Sequence, residues 1–139
     1  MTVRLAFDRS GVEVALPDRW RATVLEARFA RAVDSADRAI AEALSRPIAA
    51  PPLEELARGR SSAAISVCDI TRPAPNRLVL PHLTGALERA GVPRDRIRIL
   101  IATGLHRAAT AAELDEIVGQ ETLRRYRVES HNADRKSVV

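Results

Sequence analysis

Two short segments of the sequence carry the side chains best suited to chemistry. The first, residues 68–76, reads Cys-Asp-Ile-Thr-Arg-Pro-Ala-Pro-Asn and contains a carboxylate, a hydroxyl and a guanidinium at Asp69, Thr71 and Arg72. Asp69 can accept and orient hydrogen bonds, and Arg72 can hold a carboxylate or phosphate through two parallel hydrogen bonds. The two prolines stiffen the backbone. The alternative is an ordinary surface turn, in which Asp69 caps the loop and pairs with Arg72.

The second segment, residues 102–107, reads Ala-Thr-Gly-Leu-His-Arg. Histidine suits general acid–base catalysis because its unperturbed pKa lies nearest neutrality, so His106 is the candidate catalytic residue. Gly104 allows a ligand or another backbone to approach closely, and Arg107 adds positive charge. The alternative is a histidine at the entry of a helix, exposed to water and without a catalytic role.

The remaining reactive side chains predict no further site. Cys68 ends an apolar run, so we expect a small buried hydrophobe and not a nucleophile. His82 and His131 have no partners nearby in the sequence, and we expect structural or surface roles for both. There is no phosphate-binding glycine loop, no paired-histidine zinc motif and no serine elbow, and the spacing of the histidines predicts no metal site.

The second half of the chain shows the alternation of strands and helices that is typical of a Rossmann-like α/β fold with a mostly parallel sheet. The predicted strands are Ala63–Val67, Ile97–Ala102 and Arg127–Glu129, and the predicted helices are Leu78–Ala90, with Pro81 in its first turn, and a helix from the capping box Thr110–Glu113 to Val118. The short, mostly apolar run Ala63–Val67 shows no clear alternation, which favours a strand buried on both faces.

The first half is expected to form two helices and an N-terminal β-hairpin, which either makes the sheet mixed or adds a small flap. The predicted elements are the hairpin strands Val3–Phe7 and Val12–Leu16, a strand over Trp20–Leu25, a helix capped at Asp34 or Ser35 that ends before Pro47, and a short helix over Leu53–Ala57. We interpret residues 1–139 as a single domain.

The two reactive segments each follow a predicted strand and precede a predicted helix. Ligands of open α/β sheets gather at the carboxyl ends of the strands and near helix N-termini. If the two strands are neighbours, both segments open on one crevice, and we expect Arg72 and His106 to lie on it together.

Composition narrows the class of protein. The chain is 46% hydrophobic and 29% charged, which is ordinary for a globular domain, and it has no apolar run long enough for a membrane span. A start without a long apolar stretch and a single cysteine indicate a cytoplasmic protein without disulfides. The net charge of +4 is spread along the chain and aromatic residues make up 3%, so nucleic-acid binding is the least favoured interpretation and we expect no such partner.

Taken together, the segments Asp69–Asn76 and Ile101–Arg107 resemble the nickel-pincer-nucleotide-dependent lactate racemase family, and so does Thr110–Gly119. Segments that look like the family's connections are Pro47–Ile48, Leu53–Ala57 and Ala90–Pro93. The resemblance extends from about Gly11 to His131.

The resemblance implies a cofactor, a nickel ion held in a pincer-shaped nucleotide that is tethered to a lysine, and a small 2-hydroxy acid substrate such as lactate. In the family a histidine takes the proton of the 2-hydroxyl while the hydride on C2 passes to the cofactor. His106 matches a catalytic acid–base histidine. Asp69, Ile70, Thr71 and Arg72 match the loop that contacts substrate and cofactor.

Other family features have no match. The only lysine, Lys136, does not look like the tether, and His131 resembles a different family segment from the second acid–base histidine. We therefore expect the N-terminal part of a longer enzyme, with an incomplete sheet, inactive alone and partnered by a complementing C-terminal domain or another copy of itself. Whether this chain is itself an enzyme stays open. The alternative is a non-enzymatic α/β module that binds a small anion or a partner protein.

Overall fold

The computed structural model describes residues 1–133, so the expectation for Lys136 lies outside the described residues. The chain divides into two compact units, residues 1–32 and residues from 33 onward, which are described separately. The interpretation of residues 1–139 as one domain stays a prediction.

The first unit contains the predicted hairpin. Strands β1 (Thr2–Leu5) and β2 (Val12–Ala15) pair antiparallel, with Val3 opposite Val14. The turn needs glycine at Gly11, because its φ of +71° is left-handed and a Cβ there would lie 2.9 Å from the Leu5 carbonyl oxygen.

The predicted strand Trp20–Leu25 is wrong. These residues have no assigned strand, and the Leu25 side chain is 91% exposed. A strand is defined by hydrogen bonds to a neighbouring strand, and the ladder of this unit consists of β1 and β2 alone within the described residues. β propensity at Trp20 and Val24 is therefore not sufficient to form one.

The second unit is a parallel sheet in the order β3-β4-β5, formed by β3 (Ala63–Cys68), β4 (Ile97–Ala102) and β5 (Arg127–Ser130). Cys68 pairs with Ala102, so β3 and β4 end at the same level. The predicted α/β class, the mostly parallel sheet and the N-terminal hairpin are confirmed.

Five helices accompany these strands within the described residues: α1 (Ala36–Ser45), α2 (Leu53–Ala57), α3 (Asn76–Arg89), α4 (Ala111–Val118) and α5 (Gln120–Arg125). The predicted cap of α1 is present, because the Ser35 side chain accepts from the Arg38 backbone N–H at 3.2 Å. Helix α3 begins at Asn76, before the predicted start, so Pro81 lies in its second turn and not in its first. Helix α5 was not predicted, since six residues after Gly119 are too few to show a helical period.

The core lies on one face of the sheet. Ile97, Ile99 and Ile101 of β4 are fully buried, whereas the alternate residues of the strand face the other way and are exposed. In a sheet of this order, right-handed crossovers place α3 and α4 on the same face. The expectation that β3 is buried on both faces is therefore wrong, and its residues Ala64 and Ser66 are exposed.

Candidate active site

The two reactive segments meet at the carboxyl edge of the sheet. Asp69 directly follows β3, and His106 lies four residues after β4. Because these strands are parallel neighbours that end in register, His106 Nδ1 lies 2.5 Å from Asp69 Oδ2. The predicted neighbouring strands and common crevice are both present.

Asp69 is held as an anion by its surroundings. Its side chain is 10% exposed, and Oδ1 accepts from the Thr71 hydroxyl at 2.6 Å and from the Thr71 backbone N–H at 3.2 Å. The hydrogen bond with His106 foremost, and then those from Thr71, hold the pKa of Asp69 below its usual range, against the opposing effect of burial.

An ionised Asp69 determines the proton positions on His106. A carboxylate has no proton to donate, so His106 Nδ1 carries the proton and donates it to Asp69 Oδ2. In the neutral ring Nε2 is then the unprotonated nitrogen. The ring is 60% exposed, which leaves it accessible to a ligand. A buried carboxylate behind an exposed histidine is the arrangement of a general base with its orienting partner.

A crevice of about 300 Å³ opens beside this pair. The residues that line it are Asp69, Ile70, Thr71, Thr103, His106, Arg107, Ala109 and Glu113. Its volume is at the small end of the range for ligand sites, which suits a small organic molecule.

Arg72 is not brought into the crevice. Its backbone N–H donates to the Asp69 carbonyl at 3.2 Å and closes the turn after β3, while its side chain is exposed and does not line the cavity. The expectation that Arg72 and His106 lie on one crevice is therefore wrong for this structure, because the turn carries Arg72 out to solvent. Its role as a binding residue stays a prediction.

Sequence reasoning missed Glu113 as a site residue. Arg107 donates to both of its carboxylate oxygens, at 2.8 Å and 2.7 Å, and the Thr110 backbone N–H donates to Oε2 at 2.8 Å. The hydrogen bond from Arg107 foremost, and then those from Thr110, lower the pKa of Glu113 to about 2. The predicted capping box is confirmed, and a cation shortly before such a box is the signal that could have indicated the additional ion pair.

Thr103 was also missed. Its side chain is buried and donates to the His131 carbonyl at 2.7 Å, while the His131 backbone N–H donates to the Ile101 carbonyl at 2.9 Å. These hydrogen bonds join the end of β5 to the end of β4, at the point where the segment that carries His106 begins. His131 thus contributes through its backbone, in agreement with the structural role expected for it.

The other candidates behave as side chains with local roles. His82 Nε2 lies 2.9 Å from Asp37 Oδ1, which links α3 to the first turn of α1. Cys68 is half-buried and not fully buried as expected, and its sulfur lies 3.9 Å from Asn76 Nδ2 in a weak contact.

No three metal-binding side chains converge anywhere in residues 1–133. None of the helices described is long and apolar enough to cross a membrane. The cytoplasmic location stays a prediction.

An α/β domain with a histidine–carboxylate pair at the carboxyl edge of its parallel sheet is built like the ligand-binding domain of an α/β enzyme. Residues 7–139 match the lactate racemase N-terminal domain, and the chain belongs to this family. The family resemblance seen in the two reactive segments is thereby confirmed.

Two curated relatives are lactate racemases. The protein of Lactiplantibacillus plantarum is 39% identical over 101 residues, which cover 72% of this chain and 24% of the relative. The protein of Thermoanaerobacterium thermosaccharolyticum is 29% identical over 121 residues, which cover 86% of this chain and 28% of the relative. This chain thus spans about a quarter of the length of the curated relatives that it matches.

A solved structure shows the same fold. The lactate racemase apoprotein from Thermoanaerobacterium thermosaccharolyticum superposes with a TM-score of 0.75 at 28% identity. The match covers 95% of this chain and 30% of the solved one.

Proposed function

We propose that this chain is the N-terminal catalytic domain of a lactate racemase-like isomerase, which interconverts the D and L forms of lactate or another small 2-hydroxy acid. The observation that carries the proposal is the pair formed by His106 and the ionised Asp69 on a small crevice. Membership of the lactate racemase N-terminal domain family supports the choice of reaction.

The chemistry assigned to this chain is proton transfer. His106 Nε2 takes the proton of the substrate 2-hydroxyl as C2 loses its hydride, and the ring becomes a cation. Asp69, held ionised by Thr71, stabilises that cation through the Nδ1–H bond and keeps the ring in the productive tautomer. In the reverse direction His106 gives the proton back to the ketone oxygen as C2 regains its hydride on the same face.

The cofactor implied by the family is a nickel-pincer nucleotide, which when bound accepts and returns the hydride of C2. Within residues 1–133 the donor set contains no three converging ligand side chains that could hold a free metal ion. It does fit the anionic part of a nucleotide. Ile70 and Thr71 line the crevice, and Arg72, which directly follows them in the chain, is exposed outside it. We assign Ile70, Thr71 and Arg72 to substrate and cofactor contacts.

We expect no interconversion of D- and L-lactate by this chain alone, even with the cofactor supplied. Inverting C2 through a planar ketone requires an acid–base group on each face, and His106 provides one of them. The second group is expected from a complementing C-terminal domain or another copy of this chain. The match to about a quarter of each curated relative supports the former.

The proposal is tested by grafting. Residues 7–133 replace the matching segment of the Thermoanaerobacterium thermosaccharolyticum lactate racemase, and D/L-lactate interconversion is followed by chiral chromatography in the loaded enzyme. We expect activity in this chimera and a fall in kcat of about 10²–10⁴-fold for His106→Gln. His82→Gln is the matched control, because His82 bonds Asp37 at a different place in the fold.

Two outcomes would contradict the proposal. One is a His106→Gln chimera as active as the His82→Gln chimera. The other is a folded chimera that binds lactate without converting it, and this result would favour a non-enzymatic anion-binding module. Circular dichroism of each chimera establishes that it is folded.

A further inference from the structure

The loop that carries His106 has an exposed tip. We call residues 103–110, between β4 and α4, the His106 loop. Gly104 is in the left-handed region with φ of +58°, and the Leu105 side chain is 95% exposed. The His106 backbone N–H donates to the Thr103 carbonyl at 3.0 Å, which closes a turn around this tip. The tip therefore contributes little packing to hold the His106 ring in place.

The half of the loop after His106 is attached to the rigid part of the domain. Arg107, the next residue, forms a two-pronged ion pair with Glu113, through Nη1 to Oε2 at 2.8 Å and Nη2 to Oε1 at 2.7 Å. Glu113 belongs to α4, which is anchored in the core by the buried residues Ile117 and Val118. The ion pair thus fixes the chain one residue away from the histidine to a packed helix.

The Glu113 carboxylate is well suited to hold Arg107 in one position. Its side chain is 20% exposed, whereas that of Arg107 is 68% exposed, so the carboxylate is the fixed partner. The Thr110 backbone N–H also donates to Oε2 at 2.8 Å, which restricts the rotamer of Glu113 before Arg107 binds. A planar guanidinium that bonds both oxygens of a fixed carboxylate has one preferred orientation.

We propose that Glu113 is a positioning residue for His106 and acts through Arg107. The ion pair holds the loop so that His106 Nδ1 remains within hydrogen-bonding distance of Asp69 Oδ2, and so directs Nε2 into the crevice. The proposal deepens the proposed function and rests on it for the claim that His106 transfers a proton. The hydrogen bond between His106 and Asp69 is a property of this chain alone.

Three variants separate positioning from helix capping. Arg107→Lys removes the planar fork and leaves the capping box intact. Glu113→Gln keeps an acceptor for the cap, since glutamine also serves in capping boxes, but loses the charged fork. Thr110→Ala removes the hydroxyl from the box and leaves both bonds between Arg107 and Glu113 in place.

The experiment measures the His106 Nδ1 proton in the isotope-labelled chain by NMR, as its chemical shift and its exchange rate with water. We expect a protected, downfield proton in the wild type and in Thr110→Ala. In Arg107→Lys and Glu113→Gln we expect exchange faster by on the order of tenfold, with a shift toward the value of a free histidine. Amide spectra of β4 report whether each variant is folded. If Glu113→Gln is unfolded, the exchange rate in Arg107→Lys alone tests whether the ion pair positions His106.

Wild-type exchange rates in Arg107→Lys and Glu113→Gln would overturn the positioning role. Exchange in Thr110→Ala as fast as that expected for these two variants would also overturn it. These outcomes are distinct from failure of the proposed function. A folded chimera without racemase activity would refute the reaction and would leave the His106 proton data unchanged.

Discussion

Glu88 joins three parts of the second unit at the end of α3. Its carboxylate accepts from Arg94 Nε at 2.7 Å and Nη2 at 3.1 Å and from the Tyr126 hydroxyl at 2.8 Å, and it lies 3.5 Å from Arg125 Nη2. The hydrogen bond from Arg94 foremost lowers the pKa of Glu88 from 4.5 to about 2, against the opposing effect of burial. Glu88→Gln removes this charge while keeping the shape of the side chain.

The lowered pKa of Glu88 sets the sign and size of its contribution to the free energy of unfolding. Because the pKa in the folded state is below that in the unfolded chain, the ionised carboxylate stabilises the fold above about pH 4.5, and this contribution is lost as the pH falls toward 2. At 1.36 kcal/mol per pKa unit the upper limit is about 3 kcal/mol. The Arg94 side chain is 53% exposed, so screening by water reduces the expected value to about 1–2 kcal/mol.

Urea denaturation at several pH values checks this expectation. At pH 7 we expect Glu88→Gln to lower the free energy of unfolding by about 1–2 kcal/mol, and near pH 2.5 by a few tenths of a kcal/mol. Glu116→Gln, on the exposed side of α4, is the control and should change little at either pH. An equal loss for Glu88→Gln at both pH values would refute the reasoning, because the stabilisation would then not depend on the charge.

Four further changes have defined outcomes. Ile99→Ala should lower the free energy of unfolding by about 2–5 kcal/mol in denaturation experiments, whereas Leu100→Ala, at a 37% exposed neighbour, should cost less than about 1.5 kcal/mol; equal losses would contradict the one-sided core. Gly11→Ala should weaken the β1–β2 hairpin by about 1–2 kcal/mol, seen as loss of cross-strand nuclear Overhauser contacts, and an unchanged spectrum would count against the close approach at that turn. Arg72→Ala should weaken binding of a nicotinate mononucleotide about tenfold by calorimetry, and Arg72→Lys should restore little of it; wild-type affinity in the alanine variant would remove Arg72 from the site. Thr110→Ala should cost about 1 kcal/mol in thermal unfolding through the lost cap of α4, and an unchanged Tm would contradict that cap.

Local signals predicted most of the second unit. The strands around Ile99 and Val67 and the helix after Thr110 lie where the apolar runs, the capping box and the glycine stops place them. These features depend on near neighbours in the chain, so one sequence is sufficient to show them. The strand predicted over Trp20–Leu25 depended on a partner strand, and no local pattern reports whether one is present.

The site was predictable in its location but not in all of its contacts. The carboxyl-edge rule for parallel sheets predicted that the two reactive segments, which contain Asp69 and His106, open on one crevice. It did not predict that the Arg72 side chain lies outside the crevice. That position depends on the turn closed by the hydrogen bond from the Arg72 backbone N–H to the Asp69 carbonyl. It also did not predict Glu113, whose ion pair with Arg107 becomes apparent only when the His106 loop and α4 are seen together.

Ionised Asp69 accepts the Nδ1 proton of His106 and leaves Nε2 as the base. The most direct test is the pair of imidazole ¹⁵N chemical shifts of His106 in the isotope-labelled chain above neutral pH, in the wild type and in Asp69→Asn. We predict that wild-type His106 has a protonated Nδ1 and an unprotonated Nε2, and that Asp69→Asn shifts this balance toward the tautomer with the proton on Nε2. A wild-type ring with its proton on Nε2, or the same shifts in both proteins, would contradict the claim.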